Sequence, residues 1–202
     1  MTTTPPFVPL GPRFSAALTL AAEWHGAQYR KGTGIPYVAH LLAVAALALE
    51  HGASEDTAIA ALLHDAVEDQ GGAATLQRIR ERFGDAVAGI VAACSDTDVE
   101  PKPPWRERKE AYVAAIAHKS PEACLVSLAD KVHNARAILL DLRTHGDAVW
   151  SRFTGGRDGT LWYYRALCAA FAGRTPPALW NQLNESVAAM GQLAEGPAAG
   201  AA

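Results

Sequence analysis

The sequence predicts an all-α bundle with irregular crossings. Apolar residues recur at helical spacing in one segment after another, and Gly and Pro fall at the ends of those segments. No run shows the two-residue alternation of a half-buried strand, and no internal repeat is visible. A chain of 202 residues suits one domain with a sizeable core. We place it at 13–194, with irregular tails at 1–12 and 195–202.

Residues 1–12 carry four prolines and read as an irregular lead-in. From Arg13 to Tyr29, Phe14, Leu18, Ala21, Ala22 and Trp24 fit one helical face. Two glycines and Pro36 then break regular structure, and a second helix runs from Tyr37 to about Glu50, closed by Gly52. Ser54 is an N-cap for a third helix, which continues through Asp69 to Gly71-Gly72. Thr75–Phe83 is amphipathic and closed by Gly84, and Asp85–Cys94 buries Val87, Ile90 and Val91. Asp96–Trp105, with three prolines, reads as a loop or lid. Helix resumes at Arg106–His118. Ser120-Pro121 starts a long helix through Asp130 to Leu142. Gly155-Gly156 breaks the chain before closing helices at Gly159–Ala172 and Pro177–Leu193.

Composition narrows the function. The N-terminus lacks the basic and apolar regions of a signal peptide, and no run is long and apolar enough to span a bilayer. Three widely spaced cysteines, Cys94, Cys124 and Cys168, suit reduced thiols in the cytoplasm. A net charge of −3 without a basic block argues against a nucleic-acid partner. The oligomeric state leaves no mark in the sequence.

Against this background one stretch is anomalous. Ala60-Ala61-Leu62-Leu63-His64-Asp65-Ala66-Val67-Glu68-Asp69 places four ionisable groups inside apolar helical sequence. Burying them unpartnered costs several kcal/mol, on the order of ion desolvation, and a divalent cation removes that cost. Two more such groups stand out, His40 and Asp130. Together His40, His64, Asp65 and Asp130 make a mixed N/O set suited to manganese, iron or zinc. No second histidine cluster is present, so one metal is expected. Glu68, one turn after His64, shares its face and is better placed than Asp69 to orient or deprotonate a water. His25 reads as structural. His51, His118, His133 and His145 show no spacing that recruits them.

The H…HD…D order resembles the HD superfamily of metal-dependent phosphohydrolases. Three segments tighten the resemblance: Arg30-Lys31-Gly32-Thr33-Gly34-Ile35-Pro36-Tyr37-Val38-Ala39-His40, Ala61 to Asp69, and Leu128-Ala129-Asp130-Lys131-Val132-His133-Asn134-Ala135-Arg136. They are similar to the hydrolase-domain signatures of RelA/SpoT proteins, over about residues 14–172. Nothing resembling the synthetase or regulatory domains follows, so the chain looks like a stand-alone small alarmone hydrolase.

The resemblance implies removal of the 3′-pyrophosphate of the nucleotide (p)ppGpp. It implies Mn²⁺ held by His40, His64, Asp65 and Asp130, and a catalytic pair, Glu68 and Asp69, acting on the attacking water. Arg30 and Lys31 match a basic pair that packs on the base or meets phosphate, and Asn134 matches a substrate contact. Arg157 and Tyr163 fill a late arginine and tyrosine after a shift of register. Leu41 stands where the long proteins have proline. Trp105 lies near a substrate lysine of some small hydrolases, leaving Lys102, Arg106 or Arg108 as substitutes. The alternatives are the same chemistry on (p)ppApp or NADPH, and a non-catalytic nucleotide-binding module.

Overall fold

Residues 9–95, 101 and 103–195 are described in the structure, a computed structural model. They form α1 (Pro12–Trp24), α2 (Val38–Glu50), α3 (Glu55–Leu63), α4 (Ala66–Asp69), α5 (Gly72–Phe83), α6 (Asp85–Cys94), α7 (Trp105–Ala115), α8 (Pro121–His145), α9 (Gly156–Phe171) and α10 (Pro177–Glu195). Short 3-10 segments follow α7 and α8. Among the described residues there is no strand, only an isolated antiparallel bridge between Tyr29 and Pro36. The fold class is all-α, as the periodicity predicts.

Two helices form the frame of the site. Every side chain of α3 from Thr57 to Leu63 is buried, and α8 packs against α2, α3, α6 and α10. Both start on the caps that the sequence indicates. Ser54 Oγ accepts the Thr57 N–H at 3.2 Å, and Ser120 Oγ accepts the Ala123 N–H at 3.2 Å. Ile59, Leu62, Leu63 and Leu128 are fully buried, each stabilising the fold by about 1.5–3 kcal/mol through transfer from water. A helix surrounded by core on all sides can carry an ionisable group only where partners converge on it.

The structure departs from the sequence reading at several helix ends. The first helix stops at Trp24, not Tyr29, because residues 28–30 pair with 35–37. The Arg30 N–H donates to Ile35 O at 2.9 Å and the Tyr37 N–H to Gln28 O at 2.9 Å. The reversal between them turns on Gly32, at φ +74, with the Thr33 N–H closing onto Arg30 O. Glycine fits that third position of a type II turn, where other residues strain.

The expected continuous helix through Asp69 is also interrupted. Between α3 and α4, His64 and Asp65 form a turn, and the His64 Nδ1–H takes the Ala61 carbonyl at 2.8 Å. No Gly or Pro marks that break. α5 begins three residues before Thr75, α8 runs on to His145, and α9 starts at Gly156 rather than Gly159. Of the proline-rich loop, Asp96–Glu100 and Lys102 lie outside the described residues, as do both extreme tails. No helix among the described residues is long and apolar enough to cross a membrane.

Candidate active site

His40 stands in the first turn of α2, His64 and Asp65 in the break between α3 and α4, and Asp130 in the middle of α8. Elements far apart in sequence thus bring the four together. His40, His64 and Asp65 offer ligand atoms that all lie within 4.8 Å of one another. His40 Nε2 is 3.4 Å from Asp65 Oδ2 and 3.3 Å from Asp130 Oδ1. His64 Nε2 is 3.1 Å and 3.8 Å from the same two oxygens.

The electrostatics ask for a cation. His64 donates through Nδ1 to a backbone carbonyl, which turns its Nε2 toward the carboxylates. That atom is buried without a hydrogen-bond partner. Burial resists a charged His64, yet the Asp65 and Asp130 carboxylates lift the imidazole well above its ordinary value. Burial likewise resists both acids and is overcome. His64 and His40 hold Asp65 well below the usual carboxylate range, and Lys131, then the two imidazoles, do so for Asp130. A divalent cation among these atoms satisfies the same oxygens and the bare nitrogen without a proton on His64. Two imidazoles and two carboxylates fit the group that an HD domain implies.

A second layer of contacts aims the ligands. The Tyr37 hydroxyl donates to Asp65 Oδ2 at 2.6 Å, and burial together with that carboxylate pushes the phenol far up, so it remains a donor. Asp130 accepts from Asn134 Nδ2 and, at 2.7 Å, from Lys131 Nζ, while Arg30 donates to Asn134 Oδ1 at 2.8 Å. His40 Nδ1 meets His133 Nδ1 at 2.8 Å. Burial, reinforced by the neighbouring His40 and Arg30 side chains, pushes His133 down to about 4, so its ring is neutral. His40 Nε2 faces the two carboxylates, and with a metal held at Nε2 the His40 proton would sit on Nδ1, donated to His133 Nδ1. His25 is buried, bonded to Gln28 at 2.7 Å and stacked on Tyr37.

Beside this cluster opens a pocket of about 390 Å³. Arg30, Lys31, Asn134 and Tyr163, four of the five residues expected to hold substrate, line it. Arg157 does not: its guanidinium pairs with Asp158 at 2.9 Å over a different cleft beside Trp162 and Arg165. It sits in the first turn of α9, more than one turn before Tyr163, on a face turned toward the C-terminal end of α10. Glu68 and Asp69 occupy the one-turn α4 and are both exposed, and Asp69 Oδ2 accepts from Gln28 Nε2 at 2.8 Å.

Sequence reasoning missed Tyr37, His133, Lys109 and Lys131. The His133 signal was present, since Asp130, His133 and Asn134 share one helical face, but its partner His40 lies on another helix. Lys109 and Lys131 line the pocket, whereas Arg106 instead lies 3.2 Å from the Trp162 ring and Arg108 bonds Pro103 O at 3.1 Å. Trp105 packs against Gly155, where a Cβ would meet its ring at 2.6 Å.

Comparison with known proteins agrees with this geometry. The HD domain family matches residues 17–161. A guanosine-3′,5′-bis(diphosphate) 3′-pyrophosphohydrolase, MESH1, of Xenopus tropicalis is 40% identical over 138 residues, covering 67% of this chain and 72% of that protein. The bifunctional (p)ppGpp synthase/hydrolase SpoT of Escherichia coli is 34% identical over 132 residues, which are 62% of this chain and 18% of SpoT. Among solved structures, a metazoan ortholog of SpoT described as hydrolysing ppGpp superposes with a TM-score of 0.73 at 29% identity, over 90% of this chain and 96% of the other.

Proposed function

The chain belongs to the HD domain family, and on that footing we propose that it removes the 3′-pyrophosphate of guanosine 3′,5′-bis(diphosphate)-type nucleotides, with Mn²⁺ as its metal. Residues 13–194 act as one unit in this reading. The observation that carries it is the junction of the His/His/Asp/Asp cluster with a cation-lined pocket through shared residues. Tyr37, Lys131 and Asn134 each bond a ligand carboxylate and also line the pocket.

His40, His64, Asp65 and Asp130 hold the cation, which when bound lowers the pKa of water and draws charge from a phosphoryl oxygen. Arg30, Lys31, Lys109 and Lys131 neutralise the substrate's phosphates and set them beside the cluster. Asn134, fixed between Arg30 and Asp130, and Tyr163 line the same wall and orient the nucleotide. Glu68 and Asp69 orient the attacking water and take its proton. The water oxygen bonds to the proximal phosphorus, the bond from that phosphorus to the 3′ oxygen breaks, and the proton ends on the released 3′-hydroxyl. Pyrophosphate is the second product.

The test is a panel assay of the purified protein with Mn²⁺, scoring pyrophosphate and orthophosphate from ppGpp, ppApp and NADPH. Pyrophosphate from ppGpp, abolished by chelation and restored by Mn²⁺, is the expected result. Orthophosphate release alone, or no turnover of any substrate, refutes the proposal.

A further inference from the structure

The pocket contains a charge of the wrong sign for a site that binds phosphates. Arg30, Lys31, Lys109, Lys131 and Arg152 line it, and Asp141 is the single carboxylate among its lining residues. A carboxylate facing a polyanion repels it, unless it lies where the phosphates are not.

The geometry of α8 shows where that is. Asp130, Asn134, Ala137 and Asp141 fall at steps of four, three and four residues, one stripe along the helix. Asn134, Ala137 and Asp141 line the pocket, and Asp130 is the metal ligand at the other end of the stripe. At 1.5 Å per residue, Asp141 sits about 16 Å further along the axis than Asp130. Asp141 therefore lies well away from the metal ligands, toward the end of the stripe where a nucleotide whose scissile phosphate meets the cluster would carry its base. Apolar side chains also line this pocket. Ile35 is 49% exposed and Leu140 64% exposed, and both line the pocket. Large apolar side chains left open there offer flat contact to a ring.

Asp141 is also held in place. Arg152 Nη1 donates to its Oδ2 at 2.9 Å, and the Arg152 stem runs against Gly32, whose added Cβ would meet it at 3.1 Å. The other oxygen, Oδ1, accepts no hydrogen bond from the described residues. From these observations we infer that Asp141 is the specificity-determining residue that reads the base, and that it selects guanine.

The chemistry is one of matching donors. An ionised carboxylate only accepts hydrogen bonds. The Watson–Crick edge of guanine offers two adjacent donors, N1–H and the N2 amino group. The same edge of adenine offers one donor beside the bare N1 acceptor, which would face the carboxylate unpaired. A site built around such a donor–acceptor match rejects the mismatched analogue strongly. Arg152 fixes the carboxylate against the pocket wall.

This inference rests on the nucleotide reading of the pocket, and the experiment separates the two. Binding of GDP and ADP is measured by calorimetry, and kcat/KM by pyrophosphate release from ppGpp and ppApp. The proteins are wild type, Asp141→Asn and Asp141→Ala, with melting temperature as the folding control. The wild type prefers guanine. Asp141→Asn, whose amide both donates and accepts, lowers the guanine-to-adenine ratio at least tenfold, and Asp141→Ala lowers it too. A ratio unchanged within twofold in both variants, or a wild type that prefers adenine, overturns the role of Asp141 and leaves the hydrolase standing. A wild type that binds neither nucleotide and releases no pyrophosphate overturns the hydrolase reading, and this inference with it.

Discussion

Replacing His133 by Ala removes the acceptor that meets His40 Nδ1 at 2.8 Å. The His40 ring is 1% exposed, so its Nδ1 depends on that partner. A buried N–H left unsatisfied costs roughly 1–3 kcal/mol. The ring also loses the His133 ring, tilted 45° to it with centroids 4.8 Å apart, leaving Tyr37 and His64 as its edge-on neighbours. Nε2 then aims less accurately at the carboxylates. Losing an outer partner of a ligating histidine weakens metal binding about 10–100-fold, or roughly 1.4–2.7 kcal/mol at tenfold per 1.36 kcal/mol. The assay is calorimetric titration of Mn²⁺ into metal-free protein. The control is His133→Asn, whose Oδ1 occupies nearly the place of the histidine Nδ1 and still accepts. Asn restores most of the affinity that Ala loses. An Ala variant within threefold of wild type, or an Asn variant as weak as Ala, would show that the contact does not position the ligand.

Three further outcomes follow from the same geometry. Glu68→Gln keeps its shape, retains Mn²⁺ by elemental analysis and loses about 10²–10⁴-fold in kcat as a general base would; wild-type turnover in both it and Asp69→Asn removes the pair from the chemistry. Arg30→Ala with Lys31→Ala raises KM far more than it lowers kcat, because both bind ground and transition state alike; a fall in kcat at constant KM would place them in the chemical step. Leu63→Ala, at a fully buried site next to His64, costs about 2–5 kcal/mol in urea unfolding, and a loss under 1 kcal/mol would mean that α3 does not hold the frame.

Lys119 gives a pH signature. Its ammonium is buried against the Ser127 hydroxyl at 3.0 Å and the Tyr112 ring at 4.0 Å, and burial pushes it from 10.5 down to about 8. Between those values the unfolded chain binds more protons than the folded one, so stability rises with pH by about 1–3 kcal/mol. Lys119→Met loses that rise. An identical slope from pH 8 to 10 in both proteins would mean that the lysine is charged throughout.

Much of this was legible from spacing. Helical periodicity and glycine stops located the bundle, and the anomaly of ionisable groups in apolar helices marked the four residues that converge. What escaped notice depends on competition between partners that no local pattern records. The first helix ends early because residues 28–30 have strand-like partners at 35–37. The helix through His64 breaks because a side chain takes the Ala61 carbonyl, in a run with no glycine or proline to announce it. The role of His133 depends on a residue 93 positions away. Arg157 lies over another cleft for a different reason: it was assigned through a shift of register, and a shift of one or two residues rotates a helical side chain onto another face.

The interruption at His64 has a bearing on how this centre responds to mutation. A helix leaves its last four carbonyls without partners inside the helix, and Ala61 is one of them for α3. One imidazole is therefore oriented by the peptide backbone, whose carbonyl no amino-acid replacement at position 61 deletes unless the path of the chain changes. The other is oriented by a side chain, His133, that a single codon change removes. The two halves of the centre thus differ in heritability of alignment. Drift in metal affinity among descendants of this sequence should accumulate on the His40 side, while the His64 side changes only when the fold itself does.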